Sequence, residues 1–236
     1  MSRAKTSLTA LCLVLGACAT TPDPEAEAQA ELARAIEDAM TPATAEEIEA
    51  ANNSDPLTKA NFWANEYTKR PEDLDVALTF VAALRGIGSN ERAIEVLSQS
   101  LIVHPDNPDV LMTLGRVFSA ENNLMGAARA FEKTAIVAPD RAEAWSAFGI
   151  TLDKMERHDM AQAAYDKALA LEPTRTSTLA NYGLSLALQG DLPAAEAKLR
   201  LAAEQPNADL RVTENLALIL GLQGRYDEMA AVSSRF

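Results

Sequence analysis

The sequence predicts an all-α solenoid of about five stacked helix–turn–helix units, and three observations carry that prediction. The first is a period of 34 residues that runs without a gap. Trp145, Phe148, Gly149, Leu152, Ala161, Tyr165, Ala168 and Pro173 are matched one period earlier by Leu111, Leu114, Gly115, Phe118, Ala127, Phe131, Thr134 and Pro139. A further period back stand Ala77, Phe80, Val81, Leu84, Ala93, Leu97, Ser100 and Pro105. Forward come Leu179, Tyr182, Gly183, Leu186, Ala195, Leu199 and Ala202, then Leu216, Ala217, Leu220 and Met229. The second observation is the spacing i, i+3, i+4, i+7 within each set, which places these residues on one helix face. The third is the recurrent proline at Pro105, Pro139 and Pro173. The residue before a proline is disfavoured in the α region, so each proline closes a second helix.

The elements follow in chain order. Arg3 and Lys5 precede a short apolar run, Leu8 to Leu15, too brief to span a membrane as a mature helix. With Leu15-Gly16-Ala17-Cys18 after it, this start resembles a bacterial lipoprotein signal, so residues 1–17 are expected to be removed and Cys18 to carry lipid. Several acyl chains anchor stably where one does not. Cys12 leaves with the signal, so the mature chain has no disulfide to lean on. Ala19, rather than aspartate, follows the lipidated cysteine, and by resemblance to other lipoproteins that implies the periplasmic face of the outer membrane. Residues 18–55 are rich in Ala, Glu, Thr and Pro and lack a wide apolar stripe; they read as a largely disordered tether, with a short docking helix around Ala30 to Met40 as the alternative. A capping helix is expected over 56–72, with Phe62, Trp63 and Tyr67 on one face.

The units then run 74–107, 108–141, 142–175, 176–209 and a partial 210–236, together spanning 73–236. This pattern resembles the tetratricopeptide repeat, which implies a right-handed superhelix with a concave face for a protein partner. Small residues at Gly115, Gly149 and Gly183, and at Ala93, Ala127, Ala161 and Ala195, let paired helices approach closely. Asn107-Pro108 reads as N-cap and first helical residue, and Asp140 with Glu143 as a capping-box variant. Pro206 sits one place early, so the turn there is expected to differ.

Composition narrows function. The formal net charge is −13, and losing Arg3 and Lys5 makes it more negative by two. Such a surface repels nucleic acid and anionic headgroups. The two histidines, His104 and His158, fall in different units and read as surface residues rather than metal ligands or bases. No strand pattern supports a phosphate loop, and no catalytic cluster is visible. No enzyme activity, cofactor, metal or small-molecule substrate is expected.

In the tetratricopeptide family the first helix of each unit lines the groove. The same register assigns Thr79, Arg85, Thr113, Arg116, Lys154, Asn181 and Asn215 to it. Asn181 and Asn215 share one repeat position, where family members often hydrogen-bond an extended peptide backbone; amides there can equally bond neighbouring helices. Arg85 and Arg116 could hold a carboxylate or pair with acids of this chain.

Three stretches are more specific: 55–63 (Asp55-Pro56-Leu57 to Phe62-Trp63), 83–90 (Ala83-Leu84-Arg85-Gly86 to Asn90) and 212–226 (Val212-Thr213-Glu214-Asn215 to Tyr226). They resemble the TadD lipoproteins of the Flp (tight adherence) pilus system. That resemblance implies a pilotin-type factor for the pilus secretin or another Tad assembly component. An alternative reading is an adaptor for outer-membrane barrel assembly or peptidoglycan enzymes.

Overall fold

The computed structural model describes residues 24–233. The chain divides into two compact units, Met1–Pro42 and Ala43–Phe236. Cys18 and the apolar run before it lie outside the described residues. Among those that are described, no helix is long and apolar enough to cross a membrane.

The first unit contains one described helix, α1 (Pro24–Met40). Its Ala- and Glu-rich composition favours helix even without a core to pack on. Leu32, Ile36 and Met40, four residues apart, are all exposed.

The second unit opens with α2 (Ala45–Asn52) and α3 (Pro56–Lys69), then five hairpins: α4 (Leu74–Gly86) with α5 (Asn90–Val103), α6 (Pro108–Ala120) with α7 (Leu124–Val137), α8 (Ala142–Lys154) with α9 (His158–Leu171), α10 (Thr176–Leu188) with α11 (Leu192–Ala203), and α12 (Leu210–Leu222) with α13 (Tyr226–Ser233). Every contact between consecutive helices is antiparallel neighbour on neighbour, the arrangement the repeat requires. The hydrophobic core is correspondingly a chain of clusters. Phe118 belongs to both the first and the middle cluster, and Trp145 and Phe148 join the middle to the last.

Two parts of the expected tether, Pro24–Met40 and Ala45–Asn52, are helical, where composition favoured disorder. The reason for α2 is local. Thr44 and Glu47 form a reciprocal capping box, and Ala51 is buried. Trp63 donates its indole N–H to Asn52 at 3.4 Å. Moreover, α2 ends 34 residues before α4 does and α3 starts 34 before α5, so the pair is a shortened extra unit in the same register. Its first helix is short and polar, which hid it.

Glu66 on α3 secures this end. It is only 1 % exposed, and its carboxylate accepts from Lys69 Nζ at 2.7 Å, Arg70 at 3.1 Å and the Ala43 amide at 3.1 Å. Burial pushes its pKa up, but the bonds from Lys69, Ala43 and Arg70 outweigh burial and hold it below the ordinary glutamate value.

The turns obey the prolines. Arg70, His104, Ala138 and Glu172, each just before a proline, leave the helical region with φ between −126° and −137°. In the fourth hairpin, where Pro206 is displaced, α11 has 12 residues rather than 14 and its cap Glu204 keeps φ −78°. One cap assignment fails. The N-cap of α8 is Arg141, not Asp140, and it makes no side-chain capping bond. Arg141 instead pairs across the stack with Asp109 at 2.8 Å.

In the three middle hairpins the first helix gives up a side chain to the second, where the first and last hairpins hold Val81 and Ala217. A Cβ at Gly149 would lie 2.7 Å from the Tyr165 ring; at Gly115, 2.5 Å from Phe131; at Gly183, 2.8 Å from Leu199. The tight turn inside each hairpin places one residue in the left-handed region at the same repeat position: Gly88, Asn122, Glu156, Gly190 and Gly224. Glu156 has φ 60° and a Cβ, which is the least comfortable of the five.

Two outcomes follow for folding. Glu156→Gly is expected to raise stability by about 1 kcal/mol in urea titration, and a drop would refute the strain at that turn. The second concerns pH. Because Glu66 has a lowered folded pKa, its contribution is present above the ordinary glutamate value and disappears as pH falls through the folded one. In a Trp145→Phe background, Trp63 emission should shift red on acidification into that range before the helical signal of the remaining hairpins is lost. Simultaneous loss would contradict a locally pinned end.

Candidate peptide-binding groove

Successive first helices touch one another, α4 with α6, α8 with α10 and α10 with α12. Among the described residues no two consecutive second helices approach comparably. Closer spacing of the first helices puts them on the inside of the curve, so their solvent-facing residues form the concave face.

Thr79, Thr113, Ala147, Asn181 and Asn215 occupy one position on that face, and all five are half-buried. Thr79 spends its hydroxyl on the Asp75 carbonyl at 2.6 Å. Asn181 and Asn215 make no hydrogen bond among the described residues. Both line a cleft of about 1090 Å³ between α10 and α12, together with Ser177, Leu184, Arg211 and Glu214. An amide that has two donors and an acceptor and no internal partner is free to bond a ligand.

The charged candidates divide. Arg116 forms an ion pair with Glu143, so it is engaged within the protein. Arg85 and Lys154 are exposed, and neither has a hydrogen bond or ion pair among the described residues. At the cleft itself Arg175 pairs with Glu172 and Arg211 with Asp209, both at 2.7 Å. The cleft's own charges are thus largely neutralised.

Beneath the groove lies a polar centre that spacing did not reveal. The Asp153 carboxylate accepts from Ser185 Oγ at 2.7 Å and Tyr165 Oη at 2.8 Å, and meets His158 Nδ1 at 2.9 Å. His158 is therefore not a free surface histidine but the opening residue of α9, held to α8. Burial, then the neighbouring Asp153 carboxylate, pushes the Tyr165 hydroxyl far up and keeps it a donor. Tyr182, stacked on Tyr165 at 5.5 Å, is pushed up to about 12 by burial and the Asp166 carboxylate. Ser185 comes from α10 and Tyr165 from α9, so one carboxylate ties three helices of two units. This centre fixes α8 relative to α10 and hence the groove wall. It holds no exposed nucleophile: Ser185 is fully buried. Among the described residues no group of three or more His, Cys, Asp or Glu is placed to hold a metal ion.

At the far end, Glu196 accepts from Arg200 at 2.8 Å and Arg225 at 2.5 Å, and Arg225 also bonds Glu228 at 2.6 Å. This network fastens α13, which buries no residue fully, onto α11.

The two kinds of polar residue should respond oppositely to truncation. Asn181→Ala with Asn215→Ala should change unfolding free energy by less than about 0.5 kcal/mol. Asp153→Ala leaves buried hydroxyl donors unpaired and should cost about 2–3 kcal/mol. Thermal and urea unfolding of the three chains checks both; a large loss in the asparagine variant would mean the amides are structural.

A family model for the tetratricopeptide repeat matches residues 78–142 and 146–209, more than half of the chain. No curated protein matches. Among solved structures, a tetratricopeptide repeat protein from Parabacteroides merdae superposes with a TM-score of 0.67 at 17% identity, covering 79% of this chain and 76% of that one. Pseudomonas aeruginosa pilF gives 0.64 at 15%, covering 83% and 89%. YrrB, described as a tetratricopeptide protein with an unusual peptide-binding site, gives 0.57 at 18%, covering 73% and 89%. At these identities the likeness concerns fold alone. With its repeat register, its five hairpins and this match, the chain belongs to the tetratricopeptide repeat family.

Proposed function

We propose that this protein is a lipid-anchored scaffold for Flp-type pilus assembly. In this reading Cys18 carries the lipid at the periplasmic face of the outer membrane, and the concave face binds an extended segment of the pilus secretin or another Tad component. The observation that carries the binding role is the pair of unpartnered amides, Asn181 and Asn215, side by side in the α10–α12 cleft. They suit a peptide backbone, which offers N–H and C=O groups to any amide set along its path. The specific client rests on the resemblance of residues 55–63, 83–90 and 212–226 to the TadD lipoproteins. The negative charge of the chain is compatible with a protein client and poorly suited to nucleic acid.

The test is affinity capture of the tagged, lipidated protein from detergent-solubilised envelopes, with partners identified by mass spectrometry. Enrichment of a secretin, lost in the Asn181→Ala/Asn215→Ala variant, is the expected result. Cys18→Ser should release the protein into the periplasm and mislocalise the secretin; normal secretin multimers in that strain would sink the pilotin role. Recovery of barrel-assembly or cell-wall enzymes would leave the scaffold and replace its client.

A further inference from the structure

The inner face changes character along the solenoid. On α4 and α6 its positions hold the half-buried Thr79 and Thr113 and the exposed Ala82 and Arg116. On α10 the same positions hold Asn181, Leu184 and Leu188, and on α12 Asn215, Leu218 and Leu222. The spacing i, i+3, i+7 keeps each trio on one helix face. Leu188, Leu218 and Leu222 are 66%, 55% and 60% exposed, and Leu184 lines the cleft. On α8 this row continues as Ile150 and then Lys154. Single exposed leucines need no explanation, but a row that repeats at equivalent positions on two touching helices, on the face that carries two unpartnered amides, marks a recognition surface.

We propose that this shelf reads an extended segment in polyproline conformation, with an apolar side chain at every third residue and a carboxylate on the α8 side. The inference rests on the groove reading above and adds what the groove selects. Packed helices lie roughly 8–10 Å apart. A polyproline helix advances about 3.1 Å per residue and turns every three residues, so one turn spans about 9 Å. Equivalent leucines on α10 and α12 therefore meet equivalent side chains one turn apart. That helix has no internal hydrogen bonds, which leaves its backbone open to Asn181 and Asn215. Arg175 and Arg211 of the cleft are paired internally and Glu214 has no ion pair among the described residues, so the cleft itself turns acidic groups away. Lys154, exposed and unpaired at the end of the leucine row, supplies a site for one carboxylate.

The experiment is selection of a phage-displayed random dodecapeptide library on the full chain carrying Cys18→Ser, followed by fluorescence anisotropy with the enriched peptides. The same chain is prepared with Leu188→Ser/Leu218→Ser/Leu222→Ser, with Asn181→Ala/Asn215→Ala, and with Lys154→Glu. Because the substituted leucines are exposed, the helical signal and melting temperature should be unchanged. The expected peptides carry two apolar residues three apart with an acidic residue to one side. Their affinity should fall about tenfold or more in the leucine variant, and Lys154→Glu should exchange the acidic preference for a basic one. Enriched peptides without the apolar pair, or with undiminished affinity for the leucine variant while the asparagine variant loses them, would overturn the shelf and leave the amide groove standing. No enrichment, or undiminished binding to both the leucine and the asparagine variants, would overturn the groove as well.

Discussion

The three middle hairpins close because the first helix of each yields space to an aromatic or leucine side chain of its second. Tyr165 lies against the backbone at Gly149, Phe131 against Gly115 and Leu199 against Gly183, at distances that exclude even a methyl group. Helix propensity would favour alanine at these positions by about 1 kcal/mol; overpacking would cost about 1–3 kcal/mol against rings already fixed by burial. The close contact sets the angle between paired helices. Repetition of that angle brings the first helices together on one side, which is the side proposed to bind.

The middle of the solenoid shows how packing and polarity are combined. Tyr165, whose ring holds the Gly149 contact, also gives its hydroxyl to Asp153, and Asp153 receives Ser185 from the next unit. Geometry within one hairpin is thereby coupled to its neighbour. The ends are held differently. At the start, the buried Glu66 clasps the Ala43 amide and two cations; at the finish, exposed ion pairs through Arg225 hold a helix without fully buried residues. Exposed pairs contribute little each, so the final helix is the part of the stack secured most weakly.

Much of this architecture was legible in the sequence because it depends on local rules repeated at fixed intervals. The prolines placed the ends of the second helices, and the apolar spacing placed the buried faces of each hairpin. What stayed hidden depends on residues that break the interval. The short helix α2 carries the register but not the apolar pattern, and a composition rich in Ala and Glu reads equally as tether. Asp140 has the chemistry of a cap, yet the N-cap is Arg141, whose side chain pairs with Asp109 rather than capping the helix. His158 and Asp153 are five residues apart, and nothing in their spacing shows that a turn brings them together. In the groove, Asn181 and Asn215 were visible as a repeated position. The adjacent leucines carry no such signal, since an apolar residue on a helix is expected inside rather than facing solvent.

The central claim is that contact with a client takes place on the concave face of the last two units. Site-specific photo-crosslinking in living cells tests it directly, with the reactive amino acid placed at Leu218 on the inner face or at Ile136 on the outer one. Both positions are exposed, so neither substitution disturbs packing. The account predicts a discrete adduct from position 218 and none from 136. An adduct from 136 alone would place recognition on the opposite surface and contradict it.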